Sequence, residues 1–544
     1  MQINPTLRAD RSNDPMPKRL QAEQRPSLLA AMLHPACYPH PVRRVRLIET
    51  HISWVLLTGD WAYKVKKPVD LGFVDFSTLK LRRRYCEEEL RLNRRLAPAI
   101  YDSVVEIRGA PATARIGGSG PVLEYAVRMR EFPQSALADR MAARRALRPQ
   151  MIDALARTIA EFHRGAPAAA KSQRFGTPAT ALAAALQNFD HILPSLARVD
   201  SRNLLRRLRK WTRAEHAARR RALLSRRRGG FVRECHGDLH LGNIAVLEGC
   251  PTPFDCIEFN AALRWIDVMS EVAFLLMDLA DHGRADLASR FLNAYLEVTG
   301  DYGGLEVLRY YLVYRALVRA KVNVLRARQP QVSPMEKKRL GRLVHGYLDL
   351  AQDYTMRRPP ALMITHGVSG SGKTSATQSL IELAGAVRIR SDVERKRLHG
   401  LAPLARSGSG MGRGIYTPAA NAATYAHLER LARRILASGM PVVVDAAFLK
   451  RAEREAFRVL AADMGVPFVI LDFTAPAELL AARVATRAAG GRDASEAGVS
   501  VIARQLATRE PLAPEEMPAT FTLDTSRPVT PRTWRPVLAR LRGI

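Results

Sequence analysis

Cysteine is scarce in this 544-residue chain. The five present, Cys37, Cys86, Cys235, Cys250 and Cys256, form no CxxC pair and no zinc-ligand spacing. A small odd number scattered over a long chain excludes a disulfide-framed scaffold and implies reduced thiols, so a cytoplasmic setting is expected. Aromatic residues make up only 6%, which argues against the stacking platforms that hold single-stranded nucleic acid. No stretch approaches the ~20 apolar residues that span a bilayer, so no membrane partner is expected. The first apolar run, Leu28 to Leu33, is short and lies too far in to read as a secretion signal.

Acidic residues are outnumbered, 52 against 84 lysines and arginines, and the formal net charge is +32. Arginine carries most of the excess and alanine is abundant. Compositional bias and basic clefts for nucleotide phosphates account for this charge. A nucleic-acid partner is the less favoured alternative, because no recognised binding motif accompanies the charge. Runs such as Arg219 to Arg221 and Arg226 to Arg228 are expected to form solvated faces.

The hydrophobic fraction of 47% suffices for packed cores, and the length asks for two or three of them. Residues 1–25 are polar and read as a flexible tail. From 26 to 355 strands come first. Ile52 to Leu57 and Trp61 to Lys66 flank the turn Thr58-Gly-Asp60, and Val122 to Met129 follows. Helical periodicity then takes over, as in Met151, Ile152, Leu155, Ile159 and Phe162. Residues 356–360, ending in a Pro pair, read as a linker. From 361 to 544 short apolar runs alternate with helical stretches: Ala361 to Thr365, Ala386 to Arg390, Val442 to Val444 and Phe468 to Leu471. The expected fold is therefore an α+β region followed by an α/β domain with a parallel sheet.

Gly367-Val368-Ser369-Gly370-Ser371-Gly372-Lys373-Thr374 fits GxxxxGK[ST], with Ser375 next, between a strand and a helix. Glycines here let main-chain N–H groups turn inward onto phosphate oxygens, and the helix adds its positive end. Lys373 would reach the β- and γ-phosphates, and the Thr374 hydroxyl would ligate Mg²⁺. Asp445 ends an apolar strand, where such an acid holds the same metal. Asp392 follows the run Ala386 to Arg390 and opens a helix, either as a cap or as the group that orients an acceptor hydroxyl. Arg395 and Arg397 would hold an anionic acceptor or lie in solvent. Arg483, Arg487 and Arg492 belong to a segment that reads as a lid, where positive charge would offset that of a transferring phosphoryl group.

Upstream, His236-Gly-Asp238-Leu-His240-Leu-Gly-Asn243 places an acid five residues before an amide, and Asp255 follows an apolar residue further on. A base, an amide ligand and an acid ligand are the minimum set for metal-assisted phosphoryl transfer. His240 is expected only to pack or hydrogen-bond.

These residues carry two resemblances. HGDLHLGN followed by FDCIEFN resembles the aminoglycoside phosphotransferase family, a branch of the protein-kinase-like fold. That resemblance implies a bilobal domain with Asp238 as catalytic base and Asn243 and Asp255 as Mg²⁺ ligands. It further implies Lys64 as the lysine on the α/β-phosphates, Glu89 as its carboxylate partner with Glu88 nearly as good, and Asp267 and Glu271 as structural acids. Residues 360 to 544 resemble P-loop kinases related to gluconate, polynucleotide 5′-hydroxyl and zeta-toxin-like kinases. There the resemblance implies roles for Asp392 towards the acceptor and for Lys373, Arg487 and Arg492 in catalysis. Together they imply a bifunctional phosphotransferase with ATP as co-substrate, Mg²⁺ as cofactor and a small-molecule hydroxyl as acceptor. Two alternatives stay open: a pseudokinase-type binding module joined to a P-loop ATPase switch, and a nucleic-acid 5′-hydroxyl kinase.

Overall fold

The computed structural model describes residues 27–541 apart from 73, 331, 358, 411, 491 and 492. The tail expected over 1–25 and the candidate Arg492 lie outside the described residues. The chain divides into two units; the first runs to Gln134 and takes in Phe254–Ala261, and the second comprises Ser135–Pro253 and Ala262–Ile544.

The first unit is built on a six-stranded sheet. Its order is Arg46–Glu49, Ser53–Leu57, Trp61–Lys66, Val122–Arg130, Tyr101–Arg108 and Arg115–Ile116, every pair antiparallel. The turn at Thr58-Gly-Asp joins the second and third strands, with Gly59 at a φ of 108° that side chains disfavour. Alternation along Trp61–Lys66 buries Tyr63 and Val65 in an apolar core on one face. Lys64 and Lys66 therefore share the other face. The helix Leu79–Asn93 starts from a Thr78 cap and buries Cys86 and Glu89. The middle residues of Tyr101–Arg108 are only half-buried and do not alternate cleanly.

The second unit contains a helical region and a parallel sheet. The helical region runs from Pro149–Gly165 through Val268–Asp281 and Ala285–Thr299 to Pro334–Thr355. The sheet has the order Val387–Arg390, Val442–Asp445, Leu362–His366, Phe468–Thr474 and Thr520–Asp524, with every pairing parallel. Its central strand is buried at all five positions, as expected where both faces of a parallel sheet are covered. The strand Thr520–Asp524 is the edge strand of this sheet.

Helices and sheet share one apolar core. Phe291, Tyr295 and Leu305 of the helical region belong to the same buried cluster as Val387, Leu428 and Val444. Asn293 stitches the edge of the sheet: its Oδ1 accepts from Arg388 N at 2.7 Å and its Nδ2 donates to Ala386 O at 2.9 Å. A side-chain amide thus takes the place of a neighbouring strand at an edge that would otherwise carry unpaired main-chain groups. One expectation fails here. Arg226 does not lie on a solvated face; it is buried and donates to both Asp267 and Asp301. Charge runs predict solvation only where the helix face carrying them is free.

Candidate active sites

Within the first unit, Lys64 Nζ donates to Glu89 Oε1 at 2.8 Å and to Asp255 Oδ1 at 2.5 Å. Lys66 Nζ donates to Glu89 Oε2 at 2.8 Å and to Glu258. The two lysines stand two residues apart on one strand, so a single carboxylate one helix away reaches both. Glu88 is not the partner: it turns outward and pairs with Arg91. Burial alone would raise the Glu89 carboxyl, yet Lys64 and Lys66 together hold it at about 2. Burial likewise works against the charge of Lys64, and Asp255 and Glu89 overcome it, leaving the ammonium well above its ordinary range. Asn93 Oδ1 accepts from Cys256 N, and the Tyr101 hydroxyl accepts from Asp255 N, so the short segment bearing both acids is tied to this unit.

The motif from His236 to Asn243 belongs to the second unit. The Asp238 carboxylate accepts from Asn243 Nδ2 at 3.0 Å and lies 3.4 Å from His240 Nε2. His240 Nδ1 accepts from Gly242 N, which leaves Nε2 as the protonated nitrogen facing Asp238. His240 does more than pack. Burial would raise Asp238, but His240, Arg319 and His236 pull it well below the ordinary carboxylate range. Gly237 takes a φ of 89°, and a Cβ there would meet Leu263 O at 2.9 Å, so the turn that presents Asp238 requires glycine.

Two carboxylates of the helix Val268–Asp281 hold the loop from below. Glu271 accepts from His236 N, Gly237 N and His163 Nε2, and Asp278 accepts from Leu241 N. Asp267 caps that helix through Met269 N. Asp278 escaped the sequence reading because nothing in an apolar helical run marks one acid as facing a loop 37 residues earlier.

In the parallel-sheet domain, Gly367, Gly370 and Gly372 have φ values of 139°, 83° and 81°. A Cβ on Gly367 or Gly370 would strike a main-chain oxygen at 2.7 Å. Lys373 Nζ donates to Gly367 O and Val368 O at 2.8 and 2.9 Å, and Ser369 N donates to Gln505. Burial pushes the Lys373 ammonium down, and nearby Asp445 and Asp392 offset only part of that. Thr374 Oγ1 donates to Asp445 Oδ2 at 2.7 Å.

A cavity of about 1470 Å³ opens on these groups; Gly370, Lys373, Thr374, Ser375, Asp392 and Asp445 line it. Asp392 is not the helix cap. Arg390 occupies that place, and Asp392 is the second residue of the helix, within its first turn. Arg395 faces the same cavity, stacked over Tyr416, whereas Arg397 turns away to Glu394 and Glu297 O. Arg483 donates to Thr525 and Arg487 to Ala497 O, both on the cavity wall.

Comparison with known proteins finds two family matches along the chain. The family model described as "Phosphotransferase enzyme family" matches residues 75–311, and that described as "AAA domain" matches 362–512. An uncharacterized protein of Mycobacterium tuberculosis is 30% identical over 475 residues, covering 86% of this chain and 92% of its own. Among solved structures, a gluconokinase from Sinorhizobium meliloti is 24% identical over 35% of this chain and 96% of its own, with a TM-score of 0.25. The amicoumacin kinase hAmiN, solved with AMP-PNP, Ca²⁺ and Ami, is 14% identical over 61% of this chain and 96% of its own, with a TM-score of 0.38. No helix among the described residues is long and apolar enough to cross a membrane. The chain belongs to the family of that mycobacterial protein, and along it a match to the phosphotransferase family precedes a match to the AAA domain over the P-loop.

Proposed function

We propose that the chain is a bifunctional ATP-dependent phosphotransferase, with a kinase-like domain within residues 26–355 and a P-loop kinase domain from 361 to 544, each passing the ATP γ-phosphoryl to a small-molecule hydroxyl. The observation that carries this reading is the grouping of Lys373, the Thr374–Asp445 pair and Asp392 around one cavity. Such a cavity seats a triphosphate against the turn Gly367 to Thr374 and leaves Asp392 to accept the proton of the attacking hydroxyl. Lys373 exchanges its carbonyl partners for β- and γ-phosphate oxygens, and Arg487 adds positive charge along the wall. Arg492 is assigned to the same wall from sequence alone.

The donor set suits Mg²⁺, a hard cation that takes oxygen ligands. Thr374 and Asp445 would hold it in the P-loop domain; for the other domain Asn243 and Asp255 are assigned as ligands from the sequence motifs alone. When bound it neutralises charge on the phosphate oxygens. In the kinase-like domain Lys64, fixed by Glu89, would orient the α- and β-phosphates, and Asp238, kept ionised by its neighbours, would take the acceptor proton.

The test is turnover of γ-labelled ATP with a panel of hydroxyl-bearing metabolites, using Asp238→Asn and Lys373→Ala separately. Each substitution should abolish a different labelled product. Loss of both products on either single substitution would show one active site, not two.

A further inference from the structure

Arg390 closes the strand Val387–Arg390, pairs in register with Asp445 and precedes Asp392 by two residues. A guanidinium in this place has two carboxylates within easy reach, and charge-assisted pairing with either would be strong. Its nitrogens go elsewhere. Nη1 donates to Glu297 Oε1 and Nη2 to Asp493 Oδ1, each at 3.0 Å. The Arg390 side chain is only 12% exposed. Burial opposes its charge, and Glu297 leads the carboxylates that offset this, ahead of Asp445, Asp493 and Asp392.

Glu297 is not part of the P-loop domain. It belongs to the helix Ala285–Thr299, inside the stretch matched by the phosphotransferase family model. That helix is pinned along the edge of the sheet. Asn293 brackets the strand as described, Ser289 Oγ donates to Ile381 O at 2.8 Å, and Arg290 pairs with Glu382 at 2.9 Å. Arg397 Nη2 donates to Glu297 O at 2.6 Å. The Glu297 carboxylate therefore has a fixed address beside Arg390. On the other side, Asp493 also accepts from Ser495 N at 2.8 Å, which ties the cavity wall to the same arginine.

We propose that Glu297 is a positioning residue supplied to the P-loop site by the upstream domain: it draws Arg390 away from Asp445 and Asp392 and keeps both carboxylates clear of the guanidinium. Asp445 is then open to the metal and Asp392 to the acceptor hydroxyl. The inference rests on the roles assigned to those two residues above. It makes the P-loop site incomplete without the domain that precedes it, which gives the fusion a chemical reason.

The experiment uses the full chain carrying Asp238→Asn, so that nucleotide turnover reports on the P-loop site, and titrates Mg²⁺ against that turnover. Glu297→Gln releases Arg390. The half-saturating Mg²⁺ concentration should rise about fivefold or more, as an unopposed cation next to a ligand carboxylate dictates. Turnover should fall with KM for ATP within about twofold, and Tm should stay within about 2 °C, because the neutral amide preserves packing. Adding Arg390→Gln to Glu297→Gln should bring the Mg²⁺ requirement back towards that of the parent, since the competing cation is gone. A purely structural role for Glu297 would give no such rescue. An unchanged Mg²⁺ requirement in Glu297→Gln, or a double variant no better than the single, overturns the proposal. If Glu297→Gln fails to fold, the double variant and Glu297→Asp decide it by the same titration. A parent whose ADP binding is indifferent to Lys373→Ala sinks the nucleotide-site reading itself, a different failure.

Discussion

Lys64 and Lys373 are assigned the same task, holding phosphate oxygens, and their surroundings are opposite. Lys64 sits among carboxylates, with Glu89 and Asp255 both in hydrogen-bond contact. Lys373 sits among main-chain carbonyls of its own loop. The first ammonium is held charged above its ordinary range; burial pushes the second below it. One site fixes its cation with resident anions before any phosphate arrives. The other leaves the phosphate to be the counter-ion. A lysine placed by the first scheme contributes to the fold, and one placed by the second is a liability to the fold that function retains.

Replacing each lysine by methionine separates the two schemes most sharply. Lys64→Met and Lys373→Met should each lower turnover at their own site about 100-fold or more, as losing a fixed charge from a phosphoryl-transfer site does. Stability should split. Lys64→Met leaves Asp255 and half of Glu89 without their cation, and costs about 2 kcal/mol. That is less than the ~3–5 expected for breaking a lone buried pair, because Lys66 still pairs with Glu89. Lys373→Met removes a disfavoured buried charge and should leave the urea midpoint unchanged or raised. Equal destabilisation by the two substitutions would break the comparison.

The next largest effect is acid sensitivity. Glu89 is held at about 2 against an ordinary 4.5. A depressed carboxyl stabilises the folded state fully above the unfolded value, and the contribution disappears as pH falls from about 4.5 towards about 2. The loss is on the order of 3 kcal/mol. Urea unfolding at about pH 6 and about pH 3 should show it, and Glu89→Gln should flatten the difference. The P-loop residues Lys373 and Thr374 owe nothing to this carboxylate, so Lys373→Met should leave the acid slope as it is.

Much of this contrast was legible in the sequence. The spacing from Gly367 to Thr374 and from His236 to Asn243 is local, and local spacing survives in one dimension. Alternation along Trp61–Lys66 also foretold that Lys64 and Lys66 share a face. What escaped is long-range and polar. The Lys66–Glu258 pair joins residues 192 apart, Asn293 reaches a strand 93 to 95 residues later, and Glu297 meets Arg390 across the same gap. No periodicity announces such partners, because each depends on which helix face the packed core leaves beside which strand end. Arg395 and Arg397 make the point within one short helix. Their types and spacing are uninformative, yet one lines the cavity and the other is spent on Glu394.

A smaller effect should follow from the Thr374–Asp445 pair proposed to hold Mg²⁺. Thr374→Val keeps shape and removes the hydroxyl that donates to Asp445. Turnover at this site should fall about tenfold, with a higher Mg²⁺ requirement. Phosphorylation dependent on Asp238 should be unchanged, which single-product assays would check. A loss at both sites would mean that the helix start, not the hydroxyl, had been disturbed.

The smallest expected effect lies at alkaline pH. The proposed nucleotide binding requires Lys373 as an ammonium, and burial has lowered the pH at which that proton leaves. Above that lowered value binding must recapture a proton, so affinity falls as pH rises, while Lys64 still keeps its charge. Calorimetry of ADP binding at about pH 9, in two buffers of different ionisation enthalpy, should register proton uptake at the P-loop site. Lys373→Ala isolates the kinase-like site and should remove that uptake. The change in affinity between about pH 7 and 9 should stay under roughly tenfold, since Asp445 and Asp392 offset part of the burial. Equal proton uptake with and without Lys373 would place the titrating group elsewhere and erase the distinction between the two lysines.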